Sequence, residues 1–246
     1  MEPDRPRGGT THISNERYDN EWYGMPEGPV KWFNIDRYEK IRRDLLMGRH
    51  REFDVDEALE SALRVFWRKG YEGASYADLT EATGVQRPAL YAAFGNKEAL
   101  FRRALDRYYE HYLDFYRAAL QKPTAREVAA DILHGAVDLN TRYPDRKGCL
   151  GVHGALAVSD EAEPVRQAVV EARETGEGLL RERFERARKE GDLPPTANCA
   201  ALASYVCAMT HGMAVQAKAG FSRKELDAVV DQALSGWPTG KRAGRR

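Results

Sequence analysis

Three cysteines in 246 residues are too few, odd in number and too widely spaced for a disulfide framework, which points to a reducing compartment. No run of about 18 apolar residues occurs, so no segment is expected to cross a bilayer as a helix. No apolar core follows Arg5 and Arg7 before Asn20 either, so a cleavable leader is not expected. Net charge is missing as well. The 38 Lys and Arg balance 38 Asp and Glu, so bulk electrostatics gives no pointer to nucleic acid and any such reading rests on local residues. No stretch alternates apolar and polar residues long enough to make a strand. What remains is a chain 42% hydrophobic, enough to exclude wholesale disorder and to build one large domain or two modest ones. The expected setting is the cytoplasm.

Residues 1–46 stand apart. They are rich in Gly and Pro, hold Trp22 and Trp32, and show no apolar period before Asp36. They are expected to be extended or disordered, with at most a short helix over 35–46, and Met47 reads as an alternative start. From Asp54 onward, apolar residues recur at helical spacing. Helices are expected from Asp54 to Gly70, over 75–82, 87–94, 97–120, 124–140, 148–159, 163–190, 197–219 and 222–235. Asp54, Ser75 and Asn96 are the cap candidates, and Gly84 and Gly95 the breaks. The fold class is all-α.

Two short helices around Gly84, with Val85 and Leu90 turned inward, have the form of a helix-turn-helix. Such a unit lays its second helix in the major groove, N-terminal residues at the base edges. The reading positions are then Gln86, Arg87, Pro88 and Ala89, with Ala92 or Ala93 one turn later. Arg87 can grip guanine bidentately, and Pro88 and Ala89 can touch a thymine methyl. Lys97 starts a helix, where amides and an ammonium together hold a phosphate. A plain core hairpin would place an apolar stripe where Gln86-Arg87 and Ala92-Ala93 stand.

Residues 52–100 resemble the DNA-binding domain of TetR-type transcriptional regulators. The matching residues include Phe53-Asp54, Ala58-Leu59, Phe66, Gly70-Tyr71, Ser75-Tyr76, Gly84-Val85 and Leu90-Tyr91-x-x-Phe94-x-x-Lys97-Glu98-x-Leu100. Gln86 stands where Ser is common in that family and Ala93 where His is common. The resemblance implies phosphate contacts for Ser75, Tyr76, Gln86, Tyr91 and Lys97, and base contacts for Arg87, Pro88 and Ala89. It further implies a homodimer on double-stranded operator DNA and a helical second domain holding a small-molecule effector. On this basis 47–100 is the DNA-binding domain, 101–236 the effector-binding and dimerisation domain, and 237–246 a basic disordered tail. Helices 163–190 and 197–219 are the expected dimer bundle, the second rich in alanine.

For the effector, Tyr108, Tyr112 and Phe115 are the candidate pocket walls, with Cys149, His153 and His211 as its polar lining. Cys149/His153 and Cys207/His211 are each spaced four apart on expected helices, so each pair shares a face. Were the two faces to meet, they would suit zinc. Cys149 beside Arg146 and Lys147 would suit a thiol sensor, and a Cys149–His153 nucleophile–base pair would suit an enzyme. The organic-effector reading is preferred, with no cofactor, no metal and no catalytic residue assigned.

Overall fold

The computed structural model describes residues 53–156 and 159–240. The expected extension over 1–46 lies outside them. Among the described residues there are ten α-helices, one 3-10 turn and no strand. Asp54 caps α1 (Val55–Gly73), its carboxylate accepting from the amides of Asp56 and Glu57. Gly70, at φ +74°, interrupts α1 near its end in a conformation that few other residues adopt.

α2 (Tyr76–Thr83) opens on a reciprocal Ser75–Asp78 capping box and stops at Gly84, in the left-handed region at φ +67°. α3 (Arg87–Phe94) follows with Gln86 as an uncapped start, and α4 (Lys97–His111) is capped by Asn96. Beyond these lie α5 (Asp114–Leu120), α6 (Ala125–Arg142), α7 (Leu150–Ala155) and α8 (Glu163–Lys189). α9 (Cys199–Lys218) and α10 (Arg223–Ser235) complete the fold.

Two apolar cores organise these helices. The first gathers Phe66, Trp67, Phe101, Leu105 and Tyr108 and continues into Leu150, Val165 and Val169. It therefore does not stop at residue 100: α7 and the start of α8 are packed into the same core as α1. The second joins α6, α8, α9 and α10 through residues such as Leu133, Phe184, Val206 and Val230. Trp237 belongs to it, edge-on to Phe184 at 5.5 Å, so residues 237–240 are docked rather than a free tail.

Two helices differ from the expected ones. The stretch 97–120 is not continuous but breaks at Tyr112 and Leu113, where ψ moves to −15° and then +20°. Neither residue is a helix breaker, so the cause is tertiary. Tyr112 is held by Glu60 and Trp67 of α1, and beyond the break Phe115 lies over Gly135 of α6, where a Cβ would fall 2.2 Å from its ring. The helix expected over 148–159 is described as Leu150–Ala155, and it starts late because Gly148 sits at φ +91° and Cys149 is extended.

Candidate functional site

The N-terminal half of α3 faces solvent. Gln86, Arg87, Pro88, Tyr91 and Ala92 are exposed and Ala89 and Ala93 half-buried, while Leu90 and Phe94 anchor the helix in the core. This asymmetry leaves one helix face free and makes the other rigid, as reading base edges requires.

Arg87 is not extended from this face. Its guanidinium lies over the Tyr76 ring at 4.0 Å and near that of Tyr91 at 5.3 Å, and its Nη2 donates to the Tyr91 hydroxyl at 3.1 Å. Tyr91 in turn donates to the Tyr76 hydroxyl at 2.7 Å, which also accepts from the Lys97 amide at 3.2 Å. The two rings stack at 5.4 Å. Four of the residues singled out in the sequence thus form one chain of contacts from α2 through α3 to the start of α4. The hydrogen bond from Arg87 lowers the pKa of Tyr91, and partial burial raises that of Tyr76.

The Lys97 ammonium rests 4.6 Å from the Tyr71 ring centroid, and partial burial draws its pKa down. Ser75 lies at the same edge, but its hydroxyl proton goes to Asp78. Asp78 is held well below the ordinary carboxylate range, chiefly by the Lys69 hydrogen bond and then by those from Ser75. The Gln86 side chain makes no capping bond.

The second feature is a cavity of about 120 Å³ between the α4–α7 segment and helices α8 and α9. Of the six residues expected at an effector pocket, Phe115, Cys149 and His211 line this cavity, whereas Tyr108, Tyr112 and His153 do not. Tyr108 is fully buried between Trp67 and Cys149, its hydroxyl donating to the Cys149 sulfur at 3.3 Å. The Tyr112 hydroxyl donates to Glu60 at 2.5 Å. His153 places Nδ1 3.0 Å from the Trp67 carbonyl. All three are turned toward α1: Tyr108 and Tyr112 because the apolar stripe of α4 packs there, and His153 through the Trp67 carbonyl. The cavity meets the neighbouring stripe of Tyr109, Leu113 and Tyr116 instead.

Sequence reasoning missed Asn140, Arg173 and Glu177, which also line the cavity. Arg173 and Glu177 share a face of α8, four residues apart, but nothing in the sequence says that this face looks inward. Burial, aided by the Arg173 charge, pushes the His211 pKa down to about 4, so its imidazole is neutral at pH 7. Burial pushes the Cys207 thiol up to about 11. Although Cys149, Cys207 and His211 share the cavity, His153 lies apart. No group of three or more His, Cys, Asp or Glu is placed to hold a metal among the described residues.

Comparison with known proteins matches both parts of the chain to one family. The family model "Bacterial regulatory proteins, tetR family" matches residues 58–104, and "Tetracyclin repressor-like, C-terminal domain" matches 130–233. The chain is 31% identical to the HTH-type transcriptional repressor ComR of Escherichia coli (strain K12), over 78% of this chain and 92% of ComR. Identity to the HTH-type transcriptional repressor BdcR of the same strain is 26%, over 76% and 90% of the two chains. Among solved structures, a cysteine-substituted variant of the TetR family transcriptional regulator CifR, complexed with 26-bp double-strand operator DNA, is 43% identical. The match covers 77% of this chain and 100% of that one, with a TM-score of 0.74.

Proposed function

Because this chain belongs to the TetR family of DNA-binding transcriptional regulators, we propose that it is a cytoplasmic homodimeric repressor, released from a palindromic operator by a small-molecule effector. The observation that carries the DNA half is the exposed start of α3 with Arg87, Tyr76, Tyr91 and Lys97 joined in one contact chain. On DNA, Arg87 leaves the two tyrosine rings for a guanine edge. The hydroxyls of Tyr76 and Tyr91, with the Gln86 side chain, the Ser75 edge and Lys97, then meet phosphates. Pro88 and Ala89 give the close apolar approach.

A dimer is supported by the outward face of α9. Ala201, Tyr205, Ala208, Gly212, Val215 and Ala219 recur at alternating intervals of four and three, and all are exposed. Tyr205 is 41% and Val215 51% accessible. Small residues at this spacing let a second helix approach closely, in the manner of a two-stranded seam. Exposed Phe221 and Val229 extend the apolar surface to α10, whereas the outer side of α8 is mostly charged. The dimer seam is therefore α9 with α10, rather than α8 with α9. A two-fold axis there sets the two α3 helices roughly 34–36 Å apart, one turn of DNA.

The effector half rests on the cavity. A ligand favouring the dimer with displaced α3 helices weakens operator binding by its differential affinity for the two states. A second reading, release by a thiol-reactive compound, is favoured by one observation: Cys149 lines this same cavity, its sulfur in hydrogen-bond contact with Tyr108. Tyr108, Tyr112 and His153 then serve release indirectly, as the packing behind the cavity wall.

Footprinting the purified protein on DNA upstream of its own gene tests the proposal. A protected palindrome is expected, with two chains per site by light scattering. Binding as a monomer, or equal affinity for unrelated duplexes at physiological salt, would overturn it. Release that survives Cys149→Ser selects the reversible effector over the thiol reading.

A further inference from the structure

Resting on the effector reading, we propose that the cavity takes a small monocyclic carboxylate that also carries a hydroxyl group. Three observations converge on this class. The space, about 120 Å³, is close to that of the apolar cavity of roughly 150 Å³ known to admit benzene, a match for a single ring. Its walls include Leu113, Phe115, Ile132 and Leu139, which suit a ring.

The second observation is Arg173. It lines the cavity, is half-buried, and makes no ion pair or side-chain hydrogen bond among the described residues. Its charge acts on Tyr109 of α4 and on Cys207 and His211 of α9, all three of them lining residues, so it faces the cavity. The Glu177 carboxylate also lines the cavity but accepts the Ser204 hydroxyl. With exposed Arg117 at the lining, two cations face one carboxylate, and His211 adds no charge at pH 7. A ligand carboxylate is the group that completes this set, held bidentately by the guanidinium.

The third is Asn140. The residue is 2% exposed and its Oδ1 has no hydrogen-bond partner, although it lines the cavity. Buried amide oxygens are nearly always satisfied, so an orphan at a cavity wall is an acceptor open to a ligand's donor. A hydroxyl serves whichever end of the amide faces it, since it both donates and accepts. Arg173 and Asn140 thus specify two polar ends on a ring-sized apolar body.

Calorimetry on the full chain tests this with benzoate, 3-hydroxybenzoate and 4-hydroxybenzoate against phenol, benzamide and benzylamine, each followed by an operator-release assay. At least one hydroxybenzoate is expected to bind at least tenfold tighter than phenol or benzamide, and benzylamine least well. Arg173→Gln should remove the tenfold preference and leave phenol unchanged, and Arg173→Lys should retain part of it. Asn140→Leu should make hydroxybenzoates and benzoate equal. Ala136→Phe, which fills the cavity, should abolish all binding while operator affinity remains. Neutral or cationic rings binding as well as the acids would overturn the ligand class. That result would leave the effector reading standing. If none of the six binds or alters operator affinity, the ligand class falls, while the effector reading falls only if Ala136→Phe leaves operator release in cell extract unchanged.

Discussion

The indole Nε1 of Trp67 donates to the carbonyl of Gly148 at 2.7 Å, tying the middle of α1 to the residue that precedes cavity-lining Cys149. The bond is buried and does not stand alone. The carbonyl of Trp67 faces His153 Nδ1 at 3.0 Å, and the carbonyl of Arg68 accepts from Lys218 Nζ at 3.0 Å. α1 packs on α2 and α4, so a displacement of the Gly148–Cys149 corner has a physical route to the helices flanking α3. Trp67→Phe keeps an aromatic ring but removes the pyrrole of the indole and orphans the Gly148 carbonyl. It should cost about 1–3 kcal/mol in urea unfolding with unchanged far-UV circular dichroism. A loss below about 0.3 kcal/mol would mean that the bond contributes nothing net.

Arg87 and Lys97 should fail differently. Arg87→Ala is expected to cost about 1–3 kcal/mol on the operator and little on unrelated DNA, because it removes a base contact. Lys97→Ala should weaken binding to all duplexes and reduce the slope of log affinity against log salt by about one. Titrations at four salt concentrations on both DNAs separate these outcomes. Equal loss on every duplex for Arg87→Ala would remove its reading role.

How much of this could be read beforehand follows from where the signal is local. Ser75 with Asp78, Gly84 at positive φ and Asn96 are caps and turns whose chemistry lies within a few residues, and all three stand where the sequence puts them. The break at Tyr112–Leu113 has no such mark: it is imposed by Glu60, 52 residues away, and by contact with Gly135. For the same reason α4 could be read as aromatic, but not which stripe meets α1. That choice decides between Tyr108 and Tyr109 as cavity wall. Asn140 and Arg173 are ordinary polar residues on amphipathic helices until the fold turns them inward.

The outward stripe of α9 yields a direct test of assembly. Ala208→Glu places a carboxylate in the middle of the proposed seam, on an exposed position where the isolated chain should tolerate it. The variant should run as a monomer at micromolar concentration by light scattering, keep its helicity, and lose at least tenfold in operator affinity. A dimer of unchanged stability would place the interface elsewhere.

Gly135 is expected to accept no side chain. A Cβ there would stand 2.2 to 2.9 Å from three atoms of the Phe115 ring. Gly135→Ala should therefore destabilise by roughly 1–3 kcal/mol, despite the better helix propensity of alanine. Adding Phe115→Leu should recover part of the loss, since the shorter side chain vacates the site. Independent, additive effects in the denaturation of the double variant would contradict the contact.

Acid should destabilise the protein in a window set partly by His211. Its folded pKa of about 4 lies below the ordinary 6.5, so the unfolded chain takes up the proton first as pH falls. Stability from this group is complete above about pH 6.5, declines as pH drops, and is lost once pH passes below the folded value. The gap amounts to no more than roughly 3 kcal/mol. His153 adds in the same direction, its pKa lowered by burial and the Lys218 charge against the opposing Trp67 carbonyl bond. Carboxylates elsewhere titrate over part of the same range, so the informative quantity is a difference between proteins. His211→Gln, which cannot take up a proton, should show a melting temperature that falls less between pH 7 and pH 4.5 than that of the unmodified chain. Parallel pH profiles for the two would show that the imidazole is already solvated in the folded state, and with it that this side of the cavity stands open to water.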